Sequence, residues 1–468
     1  MAGRKECSRT SGGGFEVPGG KGRAVSSFSD RLEGRFQSAW ERTDNLFRLE
    51  KPNALLAQPI MWRHPFIFYL GHLPAFAWNQ ICRHLMEQAS FNAYFDEIFC
   101  RGIDPDIDTD SCHSHPDVPE VWPRLAEIIL YRDRVREAVL ESLDGARSKA
   151  VRERKPNYRQ AFRIVFEHEL MHQETLLYMV HELPPELKVR PQGLPEYSFQ
   201  RGEPEQEIRI PGGRVRLGAA LGSIEFGWDN EFQAQIVDVP AFRMGSTPVT
   251  NRQFLEFLDS GAYEDSYYWG RGDWAWKLRQ GMRHPNFWLR RRGEWCYRTL
   301  FDLLPLSAVS DWPVYVSLAE AQAYARWKGR RLPTEAEYSR AACCTADGRE
   351  IPFPWGEDEP CPNHGNFDFC RWSPAPVGSR PQGISPWGIH ELVGNGWEWT
   401  ETPFAPFPGF VPLESYPEYS ADFFDGKHYV LKGASWATAA DLLRPSFRNW
   451  YQAHYPYVFA KFRCVSDV

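Results

Sequence analysis

The sequence predicts an α+β protein, a four-helix bundle followed by a loop-rich mixed domain. Two observations carry this reading. Apolar residues recur at three- and four-residue steps through four segments between residue 28 and about residue 183, the spacing of one helix face. Beyond Pro184 that periodicity stops, and Gly, Pro and Trp punctuate short β-like runs. A length of 468 residues is enough for two or three domains, each with its own core.

The elements follow in order. Residues 1–27 are Gly/Ser-rich without an apolar run and read as a disordered tail. The bundle, 28–183, opens with a helix whose inner face is Leu32, Phe36, Trp40, Thr43 and Phe47. A second helix, about 62–88, aligns Phe66, Tyr69, His72 and Phe76, and Pro74 is expected to kink it. A third, about 121–146, turns Leu125, Ile128, Val135, Val139 and Leu143 inward, and a fourth, about 157–182, aligns Val165, His168, His172, Thr175 and Met179. Together they predict a bundle with one long Asp-rich connection at 101–120. Residues 195–468 read as one α+β domain. It has strands at Arg214–Leu217 and Tyr429–Lys432 and helices at Thr250–Asp259 and Leu318–Lys328, the latter opening on the Ser317/Glu320 capping-box spacing.

Composition narrows the function classes. A net charge of −7 without a long basic run argues against a nucleic-acid partner. No stretch approaches the apolar length of a membrane span. The 10 cysteines include no CxxC pair and are too sparse for a disulfide scaffold, so reduced thiols in a cytoplasm are expected. The 19 tryptophans, those around 268–295 included, are read mainly as core.

His168-Glu169-Leu170-Met171-His172 places two imidazoles four residues apart on one helix, where both reach a single ion. His72 faces inward on a separate helix of the same bundle, and bundle cores are where facing helices assemble metal sites. His64, beside Pro65, is the competing third ligand. The same motif serves zinc proteases with the Glu as general base, but Gln173–His181 supplies no further ligand of the extended pattern. Three neutral nitrogens leave about half of an octahedral shell open, which suits iron(II) binding a substrate heteroatom and O2. Glu169 is expected to hold an imidazole N–H. The Asp104–Asp110 run lacks the Gly and Glu of an EF-hand and reads as a solvated acidic turn, and Cys112-His113-Ser114-His115 beside it as a loop.

These motifs carry a resemblance. Arg63–His72 with His168–Thr175 resembles the DinB-like bundle of the ergothioneine and ovothiol sulfoxide synthases, which has a selenoneine synthase branch. Pro248–Asn251, Arg331–Glu337, Gly394–Thr400 and Gly433–Trp436 resemble the formylglycine-generating-enzyme fold, a C-type-lectin-like domain. The resemblance implies iron(II) on His72, His168 and His172, and O2-dependent joining of a sulfur or selenium donor to the imidazole of histidine or hercynine. It further implies a substrate site at Met171, Phe404, Phe407, Arg448, Asn449, Trp450 and Tyr451. Aromatic faces suit a quaternary ammonium, which cannot donate a hydrogen bond. It also allows a structural calcium ion at Asn395 and Glu398.

Departures from the family pattern point to the donor. Two tyrosines three residues apart, one of them a proton source, are matched by Phe404 and Phe407, which leaves Tyr451, Tyr455 or water to give the proton. The Asp and Arg that grip a γ-glutamylcysteine donor are matched by Tyr451 and Tyr455, so a charged dipeptide loses partners there. Cysteine or a neutral selenosugar is then expected, and the selenosugar is preferred. The alternatives are a thiol oxygenase and a non-catalytic binding protein. The copper-dependent sulfatase-activating oxidase shares the second fold but needs a cysteine pair, and Pro445–Tyr457 before Cys464 has none.

Overall fold

The computed structural model describes residues 28–100, 104–106, 111–113, 119–146, 148, 153, 155 and 157–468, with backbone only for 28–31, 104–106 and 111–113. The described residues of the first half include the helices α1 (Phe28–Phe47), α2 (Phe66–Ala77), the short α3 (Ala93–Ile98), α4 (Leu125–Gly145) and α5 (Tyr158–Glu182). Four are the helices that the apolar spacing predicts. Pro74 lies inside α2, and four residues later the chain continues as a π-helical turn, Trp78–Leu85, consistent with the lost backbone donor. In α4, Ile128, Val135, Val139 and Leu143 are buried as expected. Leu125 is not: it stands in the first turn, where the helix clears the bundle, and is 37% exposed.

The expected tail at 1–27 lies outside the described residues. So do 107–110 and 114–115 of the acidic loop, whose Asp104–Asp106 (β1) and Ser111–His113 (β2) pair antiparallel.

The second half is built from short strands joined by loops. Glu207–Ile210 (β3) pairs with Phe242–Gly245 (β6), and Gly213–Leu217 (β4) with Gln235–Val239 (β5). Trp288–Arg291 (β7), Glu294–Arg298 (β8) and Leu303–Pro305 (β9) form a meander. The sheet that meets the bundle contains Gly396–Pro403 (β10), His428–Ala434 (β11), Asn449–Gln452 (β12) and Ala460–Lys461 (β13), in the order β12-β11-β10-β13. Val465–Asp467 (β14) closes on β6. The helices at Asn251–Asp259 and Leu318–Trp327 start where the sequence places them, the second capped reciprocally by Ser317 and Glu320. Trp269, Trp276 and Trp288 are buried core, and no tryptophan between 268 and 295 lines the cavity described below.

Helix α5 ties the halves together. Glu167 and Glu174, seven residues apart and so on one face, both point into the second half. Glu167 accepts from Trp228 Nε1 at 2.9 Å and takes both Arg444 Nη groups at 2.9 Å. Glu174 accepts from Trp397 Nε1 (3.0 Å), Ser435 Oγ (2.6 Å) and Thr438 Oγ1 (2.9 Å). Burial raises the pKa of both carboxyls against these partners. Buried carboxylates stripped of such donors are costly, so these contacts fix how α5 faces the sheet.

Candidate metal centre

The histidines lie on the one face of α5 turned toward α2. His168 and His172, four residues apart, meet His72 so that one ring nitrogen from each lies within 4.8 Å of the others. Ring centroids are 5.1 Å apart for His72 with either partner and 4.2 Å for His168 with His172. His64, the rival ligand, is not part of this group; its ring packs on Phe68, 3.9 Å between centroids.

Backbone carbonyls orient two of the rings. His72 Nδ1 is 2.7 Å from Phe99 O, and His172 Nδ1 is 3.0 Å from His168 O. A carbonyl only accepts, so each Nδ1 carries the proton and each Nε2 keeps its lone pair for the centre. The approach of Phe99 depends on Gly71: a Cβ there would stand 2.6 Å from the Phe99 ring. His168 lies flat on Phe76, 3.7 Å between centroids. Glu169 does not hold an imidazole. One residue past His168 it turns toward α1, where it accepts from Thr43 Oγ1 at 2.6 Å, which also removes the protease arrangement.

All three rings are held neutral. Burial brings His72 down to about 4 against the opposing Phe99 hydrogen bond. Burial, then the neighbouring His72, brings His172 to about 3. Burial, then His172 and His72, puts His168 well below the usual imidazole range. Neutral imidazole is the ligating form. Three convergent neutral nitrogens, two of them fixed by second hydrogen bonds, fit a divalent transition metal with open positions.

The trio lines a cavity of about 510 Å³ between α2, α5 and the β12 edge. Met171, Arg448, Asn449, Trp450, Tyr451 and Tyr455 also line it, so the structure brings these expected site residues together with the histidines. Tyr451 and Tyr455 stack, 5.3 Å between centroids. Phe404 and Phe407 are the exceptions. Both are buried one layer behind the wall: Phe404 stacks on Trp450 at 4.3 Å, and the Arg448 guanidinium lies 4.3 Å from the Phe407 ring. Their places on the wall are taken by Tyr416 and Tyr419, which line the cavity. The Tyr419 hydroxyl is 3.5 Å from Met171 Sδ. These two have the same three-residue spacing as Phe404 and Phe407.

The calcium expectation fails on geometry. Glu398 is paired with Arg463 (Nε–Oε1 2.5 Å) and lies 3.6 Å from Lys461 Nζ, which also donates to Gly394 O and Gly396 O. The Asn395 amide is bound to Ala375, Glu391 and Asn366. The oxygens that a calcium ion needs are engaged by cationic side chains and amides. Cys464 is buried and forms no disulfide. No helix among the described residues is long and apolar enough to cross a membrane.

Comparison with known proteins adds the following. The sulfatase-modifying factor enzyme 1-like domain family matches residues 192–468, and the DinB superfamily matches 35–176. Ergothioneine biosynthesis protein 1 of Neurospora crassa is 31% identical over 511 residues, covering 92% of this chain and 57% of that protein. Hercynine oxygenase of Mycolicibacterium smegmatis is 38% identical over 348 residues, covering 72% of this chain and 77% of that protein. The formylglycine-generating enzyme of Mycobacterium tuberculosis is 30% identical over 303 residues, covering only 56% of this chain but 97% of that protein. The chain therefore spans little more than half of the Neurospora protein.

Proposed function

The chain belongs to the ergothioneine and ovothiol sulfoxide synthase family, and from that premise we propose that it is an iron(II)- and O2-dependent enzyme forming a carbon–sulfur or carbon–selenium bond at imidazole C2 of hercynine. One observation carries the proposal: the three-histidine centre and the Asn449–Tyr451 strand edge face one cavity. The names of the relatives, hercynine oxygenase among them, support the substrate.

His72, His168 and His172 would hold the iron. Bound there, it supplies redox chemistry with O2 and open positions for a heteroatom. The remaining work belongs to side chains. Trp450, packed between Phe404, Phe423 and Tyr419, presents an aromatic face to the trimethylammonium group, with Asn449 and Arg448 beside it. Burial keeps Tyr419, Tyr451 and Tyr455 protonated, so each can give a proton inside the cavity. Tyr451 and Tyr455 are the donors expected from sequence, and Tyr419 is added by its place on the wall. The aromatic lining limits water around both reactants, and holding them in one cavity supplies orientation.

For the donor, the uncharged Tyr451 and Tyr455 favour a selenosugar, with cysteine next. The deciding experiment is anaerobic iron(II) loading, then O2 uptake with hercynine plus cysteine, γ-glutamylcysteine or a selenosugar. A C2-substituted hercynine product from one donor is expected and identifies the branch. Iron-loaded protein showing no hercynine-dependent uptake with any donor would sink the synthase reading and leave a thiol oxygenase or a binding protein.

A further inference from the structure

The cavity has a cationic corner that the metal centre does not use. Arg63, just before α2, lines the wall, and its Nε–H donates to Tyr455 Oη at 3.0 Å. Tyr69 also lies beside Arg63, its ring 5.9 Å from that of His172. The Arg63 guanidinium carbon is 5.5 Å from the Tyr455 ring and 5.7 Å from the Tyr178 ring.

Three arginines drawn into the interior have carboxylate partners, and Arg340 turns to the backbone carbonyls of Pro211 and Gly212. Arg444 pairs with Glu167 and Glu231, Arg448 with Glu335 and Arg463 with Glu398. Arg63 has no carboxylate within ion-pair distance among the described residues; the groups around its charge are Tyr178, Tyr455, Tyr69 and Tyr451. Glu174, which lines the same cavity, is taken up by Trp397, Ser435 and Thr438. The buried hydroxyl of Tyr178 has no hydrogen-bond partner in the protein. A shielded cation without a counter-ion is costly unless something anionic completes it. Guanidinium is shaped to take a carboxylate through two N–H groups.

We propose that Arg63, framed by Tyr69, Tyr178 and Tyr455, is the carboxylate anchor of the reaction cavity. The inference rests on the synthase reading and deepens it. Two reactants of that reading can supply the group, hercynine and an amino-acid thiol; a neutral selenosugar cannot. If the thiol supplies it, the uncharged residues at 451 and 455 no longer argue against an amino-acid donor, because the cation comes from the bundle instead.

The test uses the iron-loaded full chain without O2. Binding of hercynine is compared with its carboxamide, and of cysteine with cysteamine, by calorimetry, in wild type, Arg63→Met and Arg63→Lys. In wild type the acid of one pair should bind at least about tenfold more tightly than its carboxylate-free partner, the scale of one charge-assisted contact. Arg63→Met should abolish that preference while leaving the iron content unchanged, and Arg63→Lys should restore part of it. Loss on the hercynine arm assigns the anchor to hercynine, and loss on the cysteine arm assigns it to the donor. A wild type without preference in either pair overturns the proposal whether or not the variants fold. A preference that survives Arg63→Met overturns it too. Failure of wild type to bind hercynine at all would instead overturn the synthase reading.

Discussion

Two places in this chain carry residues that read as a cation site in sequence, and the structure separates them. At His72, His168 and His172 the rings are neutral, and backbone carbonyls occupy only the nitrogens that face away from the centre. At Asn395 and Glu398 the polar atoms are as buried, yet each is already engaged, by Lys461, Arg463, Glu391 and neighbouring backbone. The same counting of ligand-type residues applies to both. What distinguishes a receptive site is donor capacity left unspent after the protein has satisfied itself. The second loop has spent its capacity on internal cations, so it behaves as a structural salt bridge.

The largest expected contrast follows directly. His168→Ala or His172→Ala should reduce bound iron from about one per chain to below about one-tenth, measured by metal analysis after anaerobic loading, with the fold retained. Glu398→Gln should leave iron untouched but cost about 3–5 kcal/mol in denaturant unfolding, because Arg463 and Lys461 lose a fully buried partner. Calcium or its chelation should not shift the midpoint of either protein. A calcium-dependent midpoint in wild type would erase the distinction between the two sites.

The metal-free protein offers a smaller test through pH. Histidine in the unfolded chain titrates near about 6.5, whereas burial holds His72 to about 4 and His172 to about 3. Between those limits the unfolded state binds more protons. The contribution of these rings is thus fully present above about 6.5 and is lost as pH falls through the folded values, by up to about 1.4 kcal/mol per pH unit for each ring. His72→Phe in the apoprotein should flatten the slope of unfolding free energy between pH 6 and pH 4 by about that amount. An unchanged slope would mean that His72 does not stay neutral in the fold.

Much of this was legible in the sequence. Helix periodicity located α1, α2, α4 and α5, and the i, i+4 histidines with His72 located the centre, because side-chain direction on a helix is fixed by spacing. What sequence could not supply was contact between distant loops. Tyr416 and Tyr419 reach the wall from a loop and the single helical turn Glu418–Ala421, too short to show a period, and Phe404 and Phe407 occupied the expected spacing without reaching it. Glu169 was misassigned for the opposite reason: its partner Thr43 lies on α1, and nothing local to the HExxH motif names it. Arg63 was visible within its motif, but the absence of a carboxylate partner is a property of the folded chain alone.

The smallest effect concerns how the open site is held open. Gly71 is in the interior of α2, where Ala would ordinarily stabilise a helix by up to about 1 kcal/mol. Here the added Cβ would meet the Phe99 ring at 2.6 Å, and Phe99 O is the acceptor that fixes His72. Gly71→Ala should therefore weaken iron(II) binding about tenfold, the lower end for losing an outer partner of a ligand histidine, while lowering global stability little. Adding Phe99→Leu should restore most of the affinity, because the smaller side chain yields space and the backbone carbonyl remains. If Gly71→Ala binds iron as wild type does, the Phe99 contact does not orient His72, and the centre is held by the α5 pair alone.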